Sequence, residues 1–212
     1  MSTAREEILA TLRNKERGGM PLPAPWRSRQ QFDDLAARFT ATLTGLHGEV
    51  IRAASADEAL DRLGDVLREL GAARVVANDE PPLAGVDLAV RWPSIAWHVV
   101  GRTDGDLRTF CADADAGVTG AEAALAETGS VVVRSGPGRS RMASLLPPVH
   151  IALVAAERLT SDILTWTAAR SGDLPANVIV ISGPSRTADI EQTTALGMHG
   201  PKRVIVILYG EA

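Results

Sequence analysis

The sequence predicts an α/β domain with a mostly parallel sheet flanked by helices. Two observations carry that expectation. Helical and strand-like stretches alternate as α, β, α, β over residues 31–77, the order that a parallel sheet with helical crossovers requires. Beyond them, short apolar runs rich in β-branched residues recur at 131–133, 151–155, 178–181 and 203–208. Each has the length of a strand and suits burial on both faces. The size of 212 residues, with 45% hydrophobic and 23% charged, fits one large α/β domain and argues against global disorder.

Residues 4–14 read as a short amphipathic helix with Ile8, Leu9 and Leu12 on one side. Alternating prolines at 21, 23 and 25 favour an extended connector after it. Residues 1–25 are therefore expected to form an arm and linker, and residues 26–212 a single α/β domain. The arm either packs on its own domain or serves a partner or a second copy, since Pro-rich linkers act as semi-rigid spacers.

Phe32, Leu35, Phe39 and Leu43 have helical spacing, predicting a helix over 31–44, and a short strand is expected at 49–52. Ser55 with Glu58 three residues later forms a capping box, which opens a helix to Leu70 closed by Gly71. Residues 74–77 read as the next strand. In the middle stretch, 95–100 reads as a strand and Asp104-Gly105 as a hairpin turn. Thr119-Gly120-Ala121-Glu122 is a second capping box, predicting an Ala-rich helix to Glu127 ended by Gly129. A loop is expected at 135–146 and a helix at 159–169, and the runs at 178–181 and 203–208 are expected to finish the sheet.

The net charge of −4 leaves no general basic surface for nucleic acid. The single Cys111 cannot form an intrachain disulfide or supply a four-thiolate iron–sulfur site. The start, Met1-Ser2-Thr3-Ala4-Arg5-Glu6-Glu7, lacks the marks of a secretory signal, and the apolar runs are too short to cross a bilayer. A cytoplasmic location is expected.

The richest local signal is the stretch 182–191, Ser-Gly-Pro-Ser-Arg-Thr-Ala-Asp-Ile-Glu, directly after an apolar run. It reads as a strand leaving the sheet, a loop and a helix start, the kind of junction where α/β sheets bind ligands. Ser135-Gly136-Pro137 repeats its opening tripeptide after 131–133. If the two preceding strands are parallel, both loops share one sheet edge, and their backbone N–H groups and hydroxyls suit an anion. Alternatively, both are simply turns.

Arg134, Arg139, Arg141 and Arg186 flank these loops, and their planar forks suit carboxylate or phosphate. Arg141, Ser182, Gly183, Ser185 and Thr187 are the ligand-binding candidates. Glu127 is a proton-handling candidate, because a carboxylate at a helix C-terminus opposes the helix dipole. Asp189 reads as a helix cap. His199 sits in a Gly-rich loop before a strand and is a second proton-handling candidate; His150 precedes a strand. Neither histidine has partners at zinc-ligand spacing. The dinucleotide glycine pattern and the phosphate-loop lysine pattern are both missing from the sequence.

Four ordered motifs resemble one family: Ala126-Glu127-Thr128-Gly129-Ser130, Ser144-Leu145-Leu146-Pro147 with His150, the 182–191 stretch, and Gly197-Met198-His199-Gly200-Pro201. Together with the Arg5-Glu6-Glu7-Ile8-Leu9 start, they resemble the lactate utilisation protein C family, also called the LUD-domain family. The resemblance implies a fold like that of the ribose-phosphate isomerase, glucosamine-phosphate deaminase and CoA-transferase group. It also implies a part in oxidising L-lactate to pyruvate beside bacterial partners that carry iron–sulfur clusters. No cofactor is expected on this chain, and the clusters are expected on those partners. Its ligand would be a small carboxylate or phosphate. Two other readings stay open: a stand-alone enzyme acting on a phosphorylated or CoA-linked small molecule, and a scaffold without chemistry of its own. The oligomeric state stays open too, a homo-oligomer included.

Overall fold

The computed structural model describes residues 3–14, 28–170, 175–188 and 194–211. In chain order the elements begin with α1 (Ala4–Asn14), α2 (Leu35–Gly45), β1 (Glu49–Ala53), α3 (Ala56–Glu69), β2 (Arg74–Ala77), α4 (Leu88–Arg91), β3 (Ala96–Val99) and α5 (Leu107–Ala112). There follow β4 (Ala116–Gly120), β5 (Ala123–Leu125), β6 (Ser130–Ser135), α6 (Met142–Leu145), β7 (Val149–Ala155), β8 (Leu159–Thr160) and α7 (Ile163–Ala169). The chain closes with β9 (Asn177–Ile181), β10 (Arg186–Ala188), β11 (Thr194–Leu196) and β12 (Arg203–Tyr209).

Six strands form the main sheet in the order β1-β12-β7-β4-β2-β3, with every neighbouring pair parallel. β12 and β7 lie inside it and carry unbroken buried runs, as an apolar strand covered on both faces must. One face packs on α3 through Leu60, Leu63 and Leu67 against Ile151, Leu153, Ile205 and Ile207. The other packs Ala152, Val154, Val206 and Leu208 against Phe39 and Leu43 of α2. Ser55 caps α3 as expected: its Oγ accepts from Glu58 N, and Glu58 Oε2 in turn accepts from Ala54 N. α2 begins later than the 31–44 reading, because Asp34 caps it by accepting from Ala37 N.

A second, four-stranded sheet, β8-β5-β6-β9, lies over the α2 side of the main sheet. Here several expectations are corrected. Residues 121–127 are not helical: β5 and β6 form an antiparallel hairpin turning at 126–129. Ala124 and Ala126 pack toward the main sheet, while Ala123 and Leu125 pack toward Trp166 and Val178. That two-sided burial outweighs the helix propensity of alanine.

The helix expected at 159–169 starts only at Ile163, behind the Asp162 cap, because Leu159 and Thr160 pair with β5. The 178–181 run does not finish the main sheet, since β9 pairs antiparallel with β6. Residues 186–188, expected in a loop leading to a helix, form β10 and pair antiparallel with β11. Gly105 leads into α5 rather than turning a hairpin. The cap expected at Asp189 lies outside the described residues, as does the connector with prolines at 21, 23 and 25. No helix among the described residues is long and apolar enough to cross a membrane.

Candidate functional site

The carboxyl ends of β2, β4, β7 and β12 surround a cleft of about 250 Å³ lined by Glu80, Glu122, Arg134, Arg139, Arg158 and Tyr209, among others. Each of these side chains sits in or just beyond a strand end. Past β2, Asn78 is buried, and its side chain accepts from Ser140 N at 2.9 Å and donates to Glu80 Oε1 at 3.2 Å. Glu80 Oε1 also accepts from Gly120 N at 2.9 Å, and Glu80 Oε2 accepts from Arg139 Nε at 2.9 Å. This largely buried carboxylate therefore ties the 136–139 turn to the ends of β2 and β4. A buried charge is tolerated only with partners of this kind.

Glu122 lies between β4 and β5, with Arg134 Nε 3.2 Å from its Oε2 and Arg170 Nε 3.2 Å from its Oε1. The approach of Arg134 is an ion pair without hydrogen-bond alignment, so Oε2 has no hydrogen-bond partner. Arg158, in the 3₁₀ turn after β7, comes no closer than 3.8 Å to Glu157. Tyr209 ends β12, and burial, with Glu157 adding to it, pushes its phenol pKa up against the opposing pull of Arg158. The site thus combines guanidinium forks with one protonated phenol, the donors that suit a carboxylate.

A broader groove of about 1240 Å³ runs beside the start of α2, but it sets Asp33, Asp34, Glu157 and Glu211 against the single Arg52. Its charge disfavours an anion. Among the described residues, no group of three or more His, Cys, Asp or Glu side chains is placed to hold a metal ion.

The amino end of the main sheet gathers six of the seven sequence-derived candidates. Ser130, fully buried, shares hydrogen bonds of 2.7 Å with the hydroxyls of Thr128 and Ser182. Gly129 has φ +60°, and a β-carbon there would lie 2.5 Å from Leu43 N. Gly183, at φ +85°, abuts the Leu46 carbonyl, which accepts from Arg186 Nη2 at 2.6 Å. Ser185 N donates to the Pro201 carbonyl and Gly197 N to the Ser185 carbonyl, setting exposed His199 beside this cluster. Thr187 lies on β10. Glu127 Oε1 accepts from Gln30 Nε2 at 3.1 Å.

Arg141 stands apart, exposed at the start of α6. The two Ser-Gly-Pro loops do not share an edge. Because β6 and β9 are antiparallel, Val131 pairs with Ile181 and Ser135 with Asn177, leaving the loops at opposite ends.

His150 is fully buried, with Nε2 at 2.9 Å from Thr119 Oγ1; burial pushes its pKa down to about 4, so the ring is neutral. Burial, helped by Asp106, pushes the Cys111 thiol up to about 11. Sequence reasoning named Arg134 and Arg139 but missed Glu80, Glu122, Arg158 and Tyr209. The signal that could have found them was available: each polar residue lies at most three positions past the end of an apolar strand, where α/β sheets bind ligands.

Comparison with known proteins agrees with this architecture. A crystal structure of a DUF162 family protein from Deinococcus radiodurans matches with a TM-score of 0.53 at 20% identity, over 83% of this chain and 96% of that one, which supports the fold. Lactate utilization protein C of Halalkalibacterium halodurans is 33% identical over 183 residues, covering 83% of this chain and 79% of that protein. Lactate utilization protein C of Bacillus subtilis is 28% identical over 220 residues, covering 94% and 91%. The LUD domain family model matches residues 36–209, which span both sheets and both edge clusters. On that match, this chain belongs to the LUD domain family.

Proposed function

We propose that this chain works in lactate utilization by holding a small carboxylate in the carboxyl-edge cleft. Relatives named for lactate utilization supply the pathway. The observation that carries the site is the set of three arginines, Arg134, Arg139 and Arg158, lining one cleft where four parallel strands end. Arginine forks match carboxylate geometry, and this edge is where open α/β sheets bind ligands.

At about 250 Å³ the cleft is smaller than the roughly 300–1,000 Å³ that encloses drug-sized ligands. That favours a short acid over a CoA-linked compound. Oxidising lactate to pyruvate removes a hydride equivalent and a proton. In this proposal the electrons pass to partner proteins bearing iron–sulfur clusters, and this chain binds and presents the acid.

A deletion strain tests the reading. Growth on L-lactate should fail while growth on glucose persists, and the wild-type gene should restore it where Arg139→Ala does not. Undiminished growth of the deletion strain on L-lactate would overturn the pathway.

A further inference from the structure

The cleft's ion pairs hold its cations to different degrees. Arg139 is held by Glu80 at 2.9 Å, and Arg134 and Arg170 both face Glu122 at 3.2 Å. Arg158 is different. Its nearest acid, the exposed Glu157, is 3.8 Å away, beyond hydrogen-bond length, and a solvated pair of that kind holds a side chain weakly. The Tyr209 hydroxyl has no hydrogen-bond partner among the described residues. It also stays protonated at neutral pH, because burial and Glu157 disfavour its anion. Among the described residues lining the cleft, Arg158 and Tyr209 are thus the donors least engaged by acids.

The charges set the ligand's class. Glu80 cancels Arg139, Glu157 cancels Arg158, and Glu122 faces two arginines, so the group carries a single excess positive charge. Resting on the site reading above, we infer that Arg158 and Tyr209 together grip the carboxylate of a short monocarboxylic acid, with Arg158 supplying the fork and Tyr209 one O–H donor. A second negative charge would meet Glu80, Glu122 or Glu157 in the same small volume. Dicarboxylates and phosphate are therefore disfavoured.

Calorimetry on the full chain tests this with L-lactate, propionate, L-malate and inorganic phosphate. L-lactate and propionate should bind, with L-malate and phosphate about tenfold weaker or worse. Arg158→Gln and Tyr209→Phe should each weaken L-lactate binding about tenfold or more, in the range of lost hydrogen bonds to a charged group. Arg62→Gln, on the far surface of α3, should change nothing. Melting temperatures should stay near wild type, because Arg158 is exposed and phenylalanine keeps the ring of Tyr209.

Wild-type affinity in both Arg158→Gln and Tyr209→Phe, with loss in Arg134→Gln or Arg139→Gln, would overturn the anchor assignment and leave the cleft reading standing. Equal affinity for L-malate or phosphate would overturn the single-charge class. L-lactate binding untouched by all four variants, or no binding of any acid, would overturn the cleft reading as well.

Discussion

The two ends of the main sheet are built from different chemistry. The carboxyl end carries charged side chains around a cleft, and part of its donor capacity, in the loosely paired Arg158 and the Tyr209 hydroxyl, makes no hydrogen bond among the described residues. The amino end carries glycines and hydroxyls, and its polar groups largely satisfy one another. Ser130 sits between Thr128 and Ser182, and Arg186 on the Leu46 carbonyl. In the proposed reading one end receives a ligand; the other clasps the second sheet to the end of α2. A motif-dense stretch can owe its residue types to close packing as readily as to a ligand.

The largest expected effect of breaking this contrast is at the amino end. Gly129→Val puts a branched side chain at φ +60° against the Leu43 backbone. It should cost about 3 kcal/mol or more in urea unfolding, since strain and overpacking add there. A cost under about 1 kcal/mol would mean that the turn is not clasped. At the carboxyl end, Glu80→Ala strips Arg139, Asn78 and Gly120 of a shared acceptor. About 2 kcal/mol of stability should be lost, from leaving those donors unpaired; an unchanged denaturation midpoint would contradict the tie.

Between the two ends, His150 provides a pH signature. Its folded pKa of about 4 lies below the ordinary value of 6.5, so between those values the unfolded chain binds a proton that the folded chain does not. His150 therefore makes no pH-dependent demand above about 6.5, and its contribution falls as pH drops from there toward 4. The slope approaches about 1.4 kcal/mol per pH unit. Stability curves of wild type and His150→Gln should diverge in that window; parallel curves would show that the ring is not buried neutral. The smallest effect is expected for Ser182→Ala, under about 1 kcal/mol by urea unfolding, because Ser130 keeps its bond to Thr128.

Where local pattern and tertiary demand agree, the fold was legible in the sequence. The Ser55–Glu58 cap of α3 and the runs that became β7 and β12 are read correctly because their apolar residues have nowhere to go but a two-sided core. The 119–127 stretch fails for the opposite reason. Alanine marks no face, so a strand buried on both sides looks like a helix, and the apparent capping box dissolves into Thr119 bonded to His150 and Glu122 bracketed by arginines.

The site suffers from the same limit. Arg134 and Arg139 are visible as loop arginines, and Glu80, Glu122, Arg158 and Tyr209 only as polar residues at or just past strand ends; that they share one cleft depends on strand order. The expectation that two Ser-Gly-Pro loops could meet depended on strand direction, which tripeptides do not encode.

The central claim is that the carboxyl end, and not the amino end, takes the ligand. Titrating L-lactate into ¹⁵N-labelled protein and following backbone amide shifts tests it directly. The expected result is saturable shifts at Gly120, Glu122, Arg158 and Tyr209, with Ser182, Ser185, Thr187 and His199 unmoved. Saturable shifts confined to Ser182, Ser185, Thr187 and His199 would contradict it.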